Sequence, residues 1–288
     1  MSDAAAPSDP SPRPFTGTLE RARGRAEVGF ALREGATRLA RLFQEGQAKI
    51  RCPKAYGGEP PSAVLINTAG GIAGGDRIAW GARFGAGTRA LVTSQAAERV
   101  YRSSATDGGL DGVIETHLAI EAGAQAEWLP QETILFDRAA LSRTLTVEMA
   151  EDASALMVEA IVFGRTASGE EVEQCRLVDR WRIRRGGRLV FADTFRVEGA
   201  ARAILAGPAT GGGARAFAMV VWAKPGVEAE IERVRSGLDG AVSIGAASAF
   251  EGLVVVRLAA TTGRALRDDL GRLLVHIREA ELPRLWSC

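Results

Sequence analysis

The sequence predicts a mostly-β fold: a stacked-strand, β-helix-like body followed by a C-terminal β-α-β-β-α portion that carries two helices. Three observations predict it. Apolar residues recur with a period of two from about Thr16 to Val197, small or acidic turns recur between those runs, and helical spacing begins after a glycine-rich bridge.

Taken in order, Val28, Phe30 and Leu32 alternate with Gly29 and Ala31, and Glu34-Gly35-Ala36 reads as a turn into a strand over Arg38–Phe43. Ile114, Leu118 and Ile120 keep the period, which leaves Glu115, His117 and Glu121 on the opposite face. Arg180–Arg184 alternates, and Gly186-Gly187 is hairpin chemistry leading into a strand over Arg188–Asp193. Three turns echo one another, at Gly85–Thr88, Glu121–Ala124 and Glu151–Ala153, each placed before a new strand. Ala90, Ala126 and Ala155 then lie 36 and 29 residues apart, a quasi-period expected of stacked strand–turn–strand coils.

The bridge Gly207–Gly213 ends that pattern. Phe217–Trp222 reads as a strand, and Pro225-Gly226 opens a helix with Val227, Ile231 and Val234 on one stripe. Strands over Ala241–Ala247 and Leu253–Leu258 come next. Arg264–Glu279 is a helix with Leu266, Leu270, Leu273, Leu274 and Ile277 at helical spacing. The organisation expected is a disordered tail over 1–14 and one domain over 15–288, with a β-rich stack at 15–206 and an α+β portion at 214–288.

Composition removes several function classes. The 288 residues are 46% hydrophobic and 25% charged with a net charge of +1, so no global field draws nucleic acid or anionic membrane. Cys52, Cys175 and Cys288 are too scattered for a zinc site or a disulfide framework and read as buried or terminal thiols of a cytoplasmic protein. No apolar run is long enough to span a bilayer.

The run Asn67–Asp76 invites a nucleotide reading, because glycines come after the buried-looking strand Ala63–Ile66. Its glycines stand at 70, 71, 74 and 75, which is not G-x-G-x-x-G, and no Lys-Ser or Lys-Thr comes after them. The next residues, Asp76–Trp80, have a strand pattern where a phosphate site needs a helix N-terminus. A nucleotide-binding enzyme built on Gly70–Asp76 is therefore the alternative, not the main reading. Only His117 and His276 occur, and neither a G-x-S-x-G elbow nor H-E-x-x-H is present, which disfavours a hydrolase. The cluster Arg180, Arg182, Arg184, Arg185 and Arg188 around Trp181 could serve single-stranded nucleic acid, but it reads better as the cationic face of a hairpin.

Five ordered blocks carry a resemblance: Leu65–Asp76, Thr93–Ser103, Glu127–Ile134, Phe163–Arg165 with Ser168–Glu170, and Leu282–Trp286. Together they resemble the urease accessory protein family UreD, also called UreH, over nearly the whole chain. The resemblance implies a mostly-β stack with two helices. It also implies a scaffold, not an enzyme, that docks on apo-urease and binds UreF. UreF in turn recruits the GTPase UreG in a dimeric assembly. It further implies that nickel passes transiently through an internal tunnel toward the urease active site, with no stable cofactor.

A conduit needs groups polar enough to replace water yet weak enough to release the ion. Carboxylates suit transit better than imidazole or thiolate, which hold nickel tightly. Carrying the family's tunnel positions over yields Asp76, Glu159 and Asp193, and also Glu98, where relatives carry a smaller polar residue. Each has a plainer role open to it. Asp76 could cap its own turn, Glu159 could be a buried acid paired with arginine, and Asp193 could cap the second strand of the hairpin. An obligate partner of this kind is also expected to expose an apolar patch.

Overall fold

A computed structural model describes residues 21–55, 59–103, 109–165 and 169–287. The tail assigned to 1–14, the start of the β region at Thr16, Ser168 and Cys288 lie outside them. The described residues open with β1 (Arg23–Arg33) and β2 (Ala36–Gly46), joined at Glu34-Gly35, whose φ values of 51° and 73° make the expected tight turn. Next come β3 (Ala48–Arg51), β4 (Ser62–Asn67), β5 (Arg77–Phe84), β6 (Arg89–Ser94), β7 (Glu98–Val100), β8 (Gly112–Ile120) and β9 (Gln125–Leu129). After β10 (Thr133–Leu135), β11 (Ala140–Met149) and β12 (Ser154–Phe163), a hairpin of β13 (Cys175–Arg185) and β14 (Arg188–Gly199) turns at Gly186-Gly187. The helix α1 (Ala201–Ala206), β15 (Ala216–Ala223), α2 (Ile231–Ser236), β16 (Ile244–Phe250), β17 (Leu253–Ala260) and α3 (Gly263–Arg278) complete the order.

Two sheets face each other. The first runs β14-β13-β11-β8-β5-β1-β2; the second runs β16-β17-β15-β12-β9-β6-β4-β3, with β10 paired between β12 and β7. The chain crosses between them in the order β5 to β6, β8 to β9, and β11 to β12. Like strands therefore stack in parallel: β5, β8, β11 and β13 in one sheet, and β4, β6, β9 and β12 in the other. This is the stacked-coil body the turn echo predicts, and the register agrees with it. Ala90 pairs with Ala126, and Ala126 with Ala155. At the corners Gly87 and Gly123 take φ of 67° and 64°, which glycine adopts without strain, and the buried Thr88 hydroxyl donates to the Gly85 carbonyl at 2.7 Å.

The inward alternation fills the space between the sheets with Val28, Phe84, Leu118, Leu145, Met157 and their neighbours. The outer face of the second sheet carries a separate apolar layer. There Val158, Val220, Val256 and Leu258 meet Leu266, Leu270, Leu273, Leu274 and Ile277 of α3. Buried on both faces, β12 reads as one continuous apolar run, Glu159 apart. Thr262 caps α3, its hydroxyl accepting from the Ala265 amide at 3.2 Å.

Several expectations shift. Leu32 is 48% exposed because β5 pairs with β1 only as far as Phe30 and leaves the end of the hairpin uncovered. The strand expected to stop at Asp193 continues to Gly199, since its partner β13 extends back to Cys175 and holds it in register. The strand placed at Ala241–Ala247 begins at Ile244, because the Ser243 amide donates to Asp269 of α3 at 2.7 Å and keeps the preceding residues in a turn. Helix α1 is additional; six residues are too few to display a period. Cys175 is buried as expected, but Cys52, just past the end of β3, is exposed. The edge strand β2 exposes Leu39, Leu42 and Phe43. No helix among the described residues is long and apolar enough to cross a membrane.

Candidate functional site

Three strands each place a charged residue in mid-strand at an inward position that alternation reserves for apolar side chains. Arg143 stands between Leu141 and Leu145 on β11, Asp179 between Leu177 and Trp181 on β13, and Glu159 between Met157 and Ile161 on β12. Parallel pairing makes Arg143 and Asp179 direct neighbours in the first sheet, while Glu159 reaches across from the second. The Arg143 guanidinium donates through Nε and Nη2 to the two oxygens of Asp179, at 3.0 and 2.7 Å, and through Nη1 to Thr133 Oγ1 at 3.0 Å. All three charged side chains are at least nine-tenths buried. A bidentate geometry of this kind offsets the cost of desolvating an ion pair better than a single contact.

Glu159 is the less satisfied partner. Its Oε2 lies 3.2 Å from Arg143 Nε, but that N–H is committed to Asp179, and Oε2 has no hydrogen bond. The indole N–H groups of Trp128 and Trp181, 2% and 1% exposed, lie beside this carboxylate and favour its charged form, although neither reaches full hydrogen-bond geometry. Burial pushes the Glu159 carboxyl up to about 7; the Arg143 charge works against that rise, and the negative charge of Asp179 adds to it. Burial alone would lower the Arg143 pKa, but Asp179 and Glu159 hold it above its ordinary value.

Two cavities meet at this triad. One, of about 330 Å³, is lined by Asn67, Glu98, Gln131, Thr133, Arg143 and Glu159. The other, of about 220 Å³, is lined by Glu159, Asp179, Trp181, Asp193, Phe195 and Arg257. Glu159 belongs to both. A larger groove of about 770 Å³ crosses the outer face of the first sheet over Gly81 and His117 and contains none of these groups.

The four carboxylates singled out in the sequence separate into three and one. Glu98, on β7, faces the first cavity. Asn67 Nδ2 donates to both its oxygens at 3.2 Å and the Arg99 amide to Oε1 at 3.1 Å, yet burial pushes its pKa up to about 7. Asp193 lies in mid-strand at the second cavity, accepting from Arg257 Nη2 and the Thr194 amide, both at 2.9 Å. Glu159 joins the two. Asp76 lines neither cavity: Oδ1 accepts from the Ala22 amide and Oδ2 from the Ala73 amide, both at 2.8 Å, so its carboxylate staples the turn to the start of β1.

The glycine run around Asp76 serves close packing. A Cβ on Gly74 would stand 2.6 Å from Ser103 Oγ and 2.7 Å from the Leu110 carbonyl, and Ile72 bridges to Val100. Immediately after Asp76 the chain enters β5, an extended strand and not a helix N-terminus. The arginines of the β13–β14 hairpin are engaged within the chain. Arg180 bonds Ser142, Arg182 the Trp181 and Asp193 carbonyls, Arg185 the Gly252 carbonyl, and Arg188 pairs with Glu251. Trp181 is buried and has no ring face to offer a base. Among the described residues no cluster of three or more His, Cys, Asp or Glu could hold a metal ion.

Sequence reasoning missed Arg143 and Asp179. The signal was present, because Leu-Ser-Arg-Thr-Leu over 141–145 and Leu-Val-Asp-Arg-Trp over 177–181 each set a charge on the apolar phase of a strand.

Comparison with known proteins agrees along the whole described span. Residues 22–287 match the family model described as UreD urease accessory protein. Proteins named urease accessory protein UreD are similar throughout. That of Rhizobium leguminosarum bv. viciae is 48% identical over 271 residues, 93% of this chain and 96% of the relative. That of Brucella suis is 45% identical over 279 residues, 95% and 97% of the two chains, and that of Xanthobacter autotrophicus 43% over 286, 99% and 96%.

Proposed function

The chain belongs to the UreD urease accessory protein family, and from that premise we propose that it is a non-catalytic cytoplasmic scaffold which passes nickel between its two sheets. In this reading it docks on apo-urease and on UreF, reaches UreG through UreF, and works within their assembly. Nickel is cargo, held briefly at Glu98, Glu159 and Asp193 and nowhere stored.

The observation that carries the reading is the pair of cavities that share Glu159, with one further carboxylate on each side. Oxygen donors at three separated points can replace parts of a cation's hydration shell in turn, which favours entry without deep binding. The raised pKa values of Glu98 and Glu159 add to this. At neutral pH each is partly protonated, so an arriving ion displaces a proton and meets weaker net binding. Asp76 serves the turn, with both its oxygens on backbone amides. The exposed Leu39, Leu42 and Phe43 of β2 suit a protein that works by docking.

The test is Glu159→Gln combined with Asp193→Asn in the full chain. The variant is expected to co-purify with UreF and apo-urease while the nickel content of urease and its activity fall together. Full nickel loading in that variant would overturn the conduit.

A further inference from the structure

Two buried carboxylates held close together form a strong trap for a divalent cation, and a conduit that trapped its cargo would stop. Glu159 and Asp179 are such a pair. Between them stands Arg143, whose guanidinium takes both oxygens of Asp179 and lies 3.2 Å from the Oε2 of Glu159. That oxygen, occluded on a residue 5% exposed, is held by charge contact with Arg143 and has no hydrogen bond of good geometry, so it opens to a cation only when the guanidinium moves. The two buried indole N–H groups near it cannot ligate a metal, since indole nitrogen is a donor only. They can donate to the carboxylate oxygen that the cation leaves free, which would orient Glu159 for it.

We propose that Arg143 is the release element of the path: its guanidinium and the passing divalent cation compete for Glu159 and Asp179, so the pair hands the ion on instead of keeping it. This rests on the conduit reading above. The guanidinium has somewhere to go during passage, because Arg143 also lines the 330 Å³ cavity and already bonds Thr133 there. With the ion at the carboxylates, the positive charge of Arg143 sits beside a second cation. Its return to Asp179 then drives the ion toward Asp193. Arg143 is thus a positioning residue that acts by excluding a stable site.

The experiment measures nickel retained after equilibrium dialysis and desalting of the full chain bound to UreF. Arg143→Gln should retain close to one ion per chain and gain thermal stability with Ni²⁺, as a ligand that binds the folded state requires. The native chain and Arg143→Gln/Asp179→Asn should retain none. Arg143→Lys keeps the charge but cannot span both carboxylate oxygens, so it should retain an intermediate amount. It also serves if the glutamine variant does not fold, as judged by circular dichroism. Retention at the native level in whichever variants fold would overturn the release role. If that happens while Glu159→Gln/Asp193→Asn still impairs urease loading, the conduit stands alone. Full loading in the latter variant would overturn the path and the release role with it.

Discussion

Asp76 and Glu159 are both buried carboxylates, 7% and 5% exposed, and both emerge from the sequence as candidates on the same grounds. Their surroundings differ in one respect. Asp76 has a backbone amide on each oxygen, whereas Glu159, on a residue that lines two cavities, has only a charge contact from Oε2 to a guanidinium whose hydrogen bonds go elsewhere. A satisfied carboxylate stabilises a fold; one at a cavity wall that lacks hydrogen bonds has capacity for a ligand. Burial alone therefore does not distinguish structural from functional acids here, and the number of filled lone pairs does.

The largest effect that would break this contrast lies at the triad. Arg143→Ala leaves Asp179 and Glu159 buried without their cation and is expected to cost about 3–5 kcal/mol in urea denaturation. A loss below about 1 kcal/mol would mean that water enters the triad freely and that the surface value for ion pairs applies. Asp76→Ala comes next. It removes two charge-assisted caps, each worth about 1.5 kcal/mol at the low end of the range for such bonds, so a loss of roughly 3 kcal/mol is expected, with nickel loading per folded chain unchanged. Loading that fell in proportion beyond stability would move Asp76 onto the path.

Glu159→Gln should produce the opposite pattern, with stability unchanged or raised at neutral pH and nickel loading reduced. Its sign depends on pH. A carboxyl whose folded pKa is raised binds its proton more tightly when folded, so its contribution turns unfavourable as pH rises from the ordinary 4.5 through about 7. The native chain is therefore expected to lose stability across that window, and Glu159→Gln to lose less; equal slopes would contradict the desolvated environment. The smallest effect expected is on transfer itself. Nickel loading by the native assembly should fall several-fold as pH drops below about 7, as protons compete at Glu98 and Glu159. A pH-independent loading rate would assign the rate-limiting step to another component.

Much of the fold is legible in the residues. Val28-Gly-Phe30, Ile114 to Ile120 and Arg180–Arg184 state the period of two, and Gly186-Gly187 states the hairpin. Ala90, Ala126 and Ala155 state the coil length closely enough that the ladder aligns them. The apolar stripe of α3 is equally plain, and it covers the second sheet as the pattern requires. Boundaries are less legible where a distant partner decides them, as β13 does for the end of β14 and Asp269 for the start of β16. Of the site, Glu98, Glu159 and Asp193 are identifiable once the family resemblance is drawn; Arg143 and Asp179 are visible only as charges on an apolar phase.

By itself, then, the sequence determined the period of the strands, the turns that close each coil, the helix that covers the second sheet, and the family. These depend on local spacing and on ordered blocks of residues, which a linear chain displays. Only the tertiary structure decided that Arg143, Asp179 and Glu159 converge, that Asp76 is occupied by amides from Ala22 and Ala73, and that two cavities share one carboxylate. Glu159 is opposed to Arg143 by the facing of two sheets, and Ala22 is 54 residues from Asp76. Contacts set by stacking between sheets have no signature in the spacing along either strand.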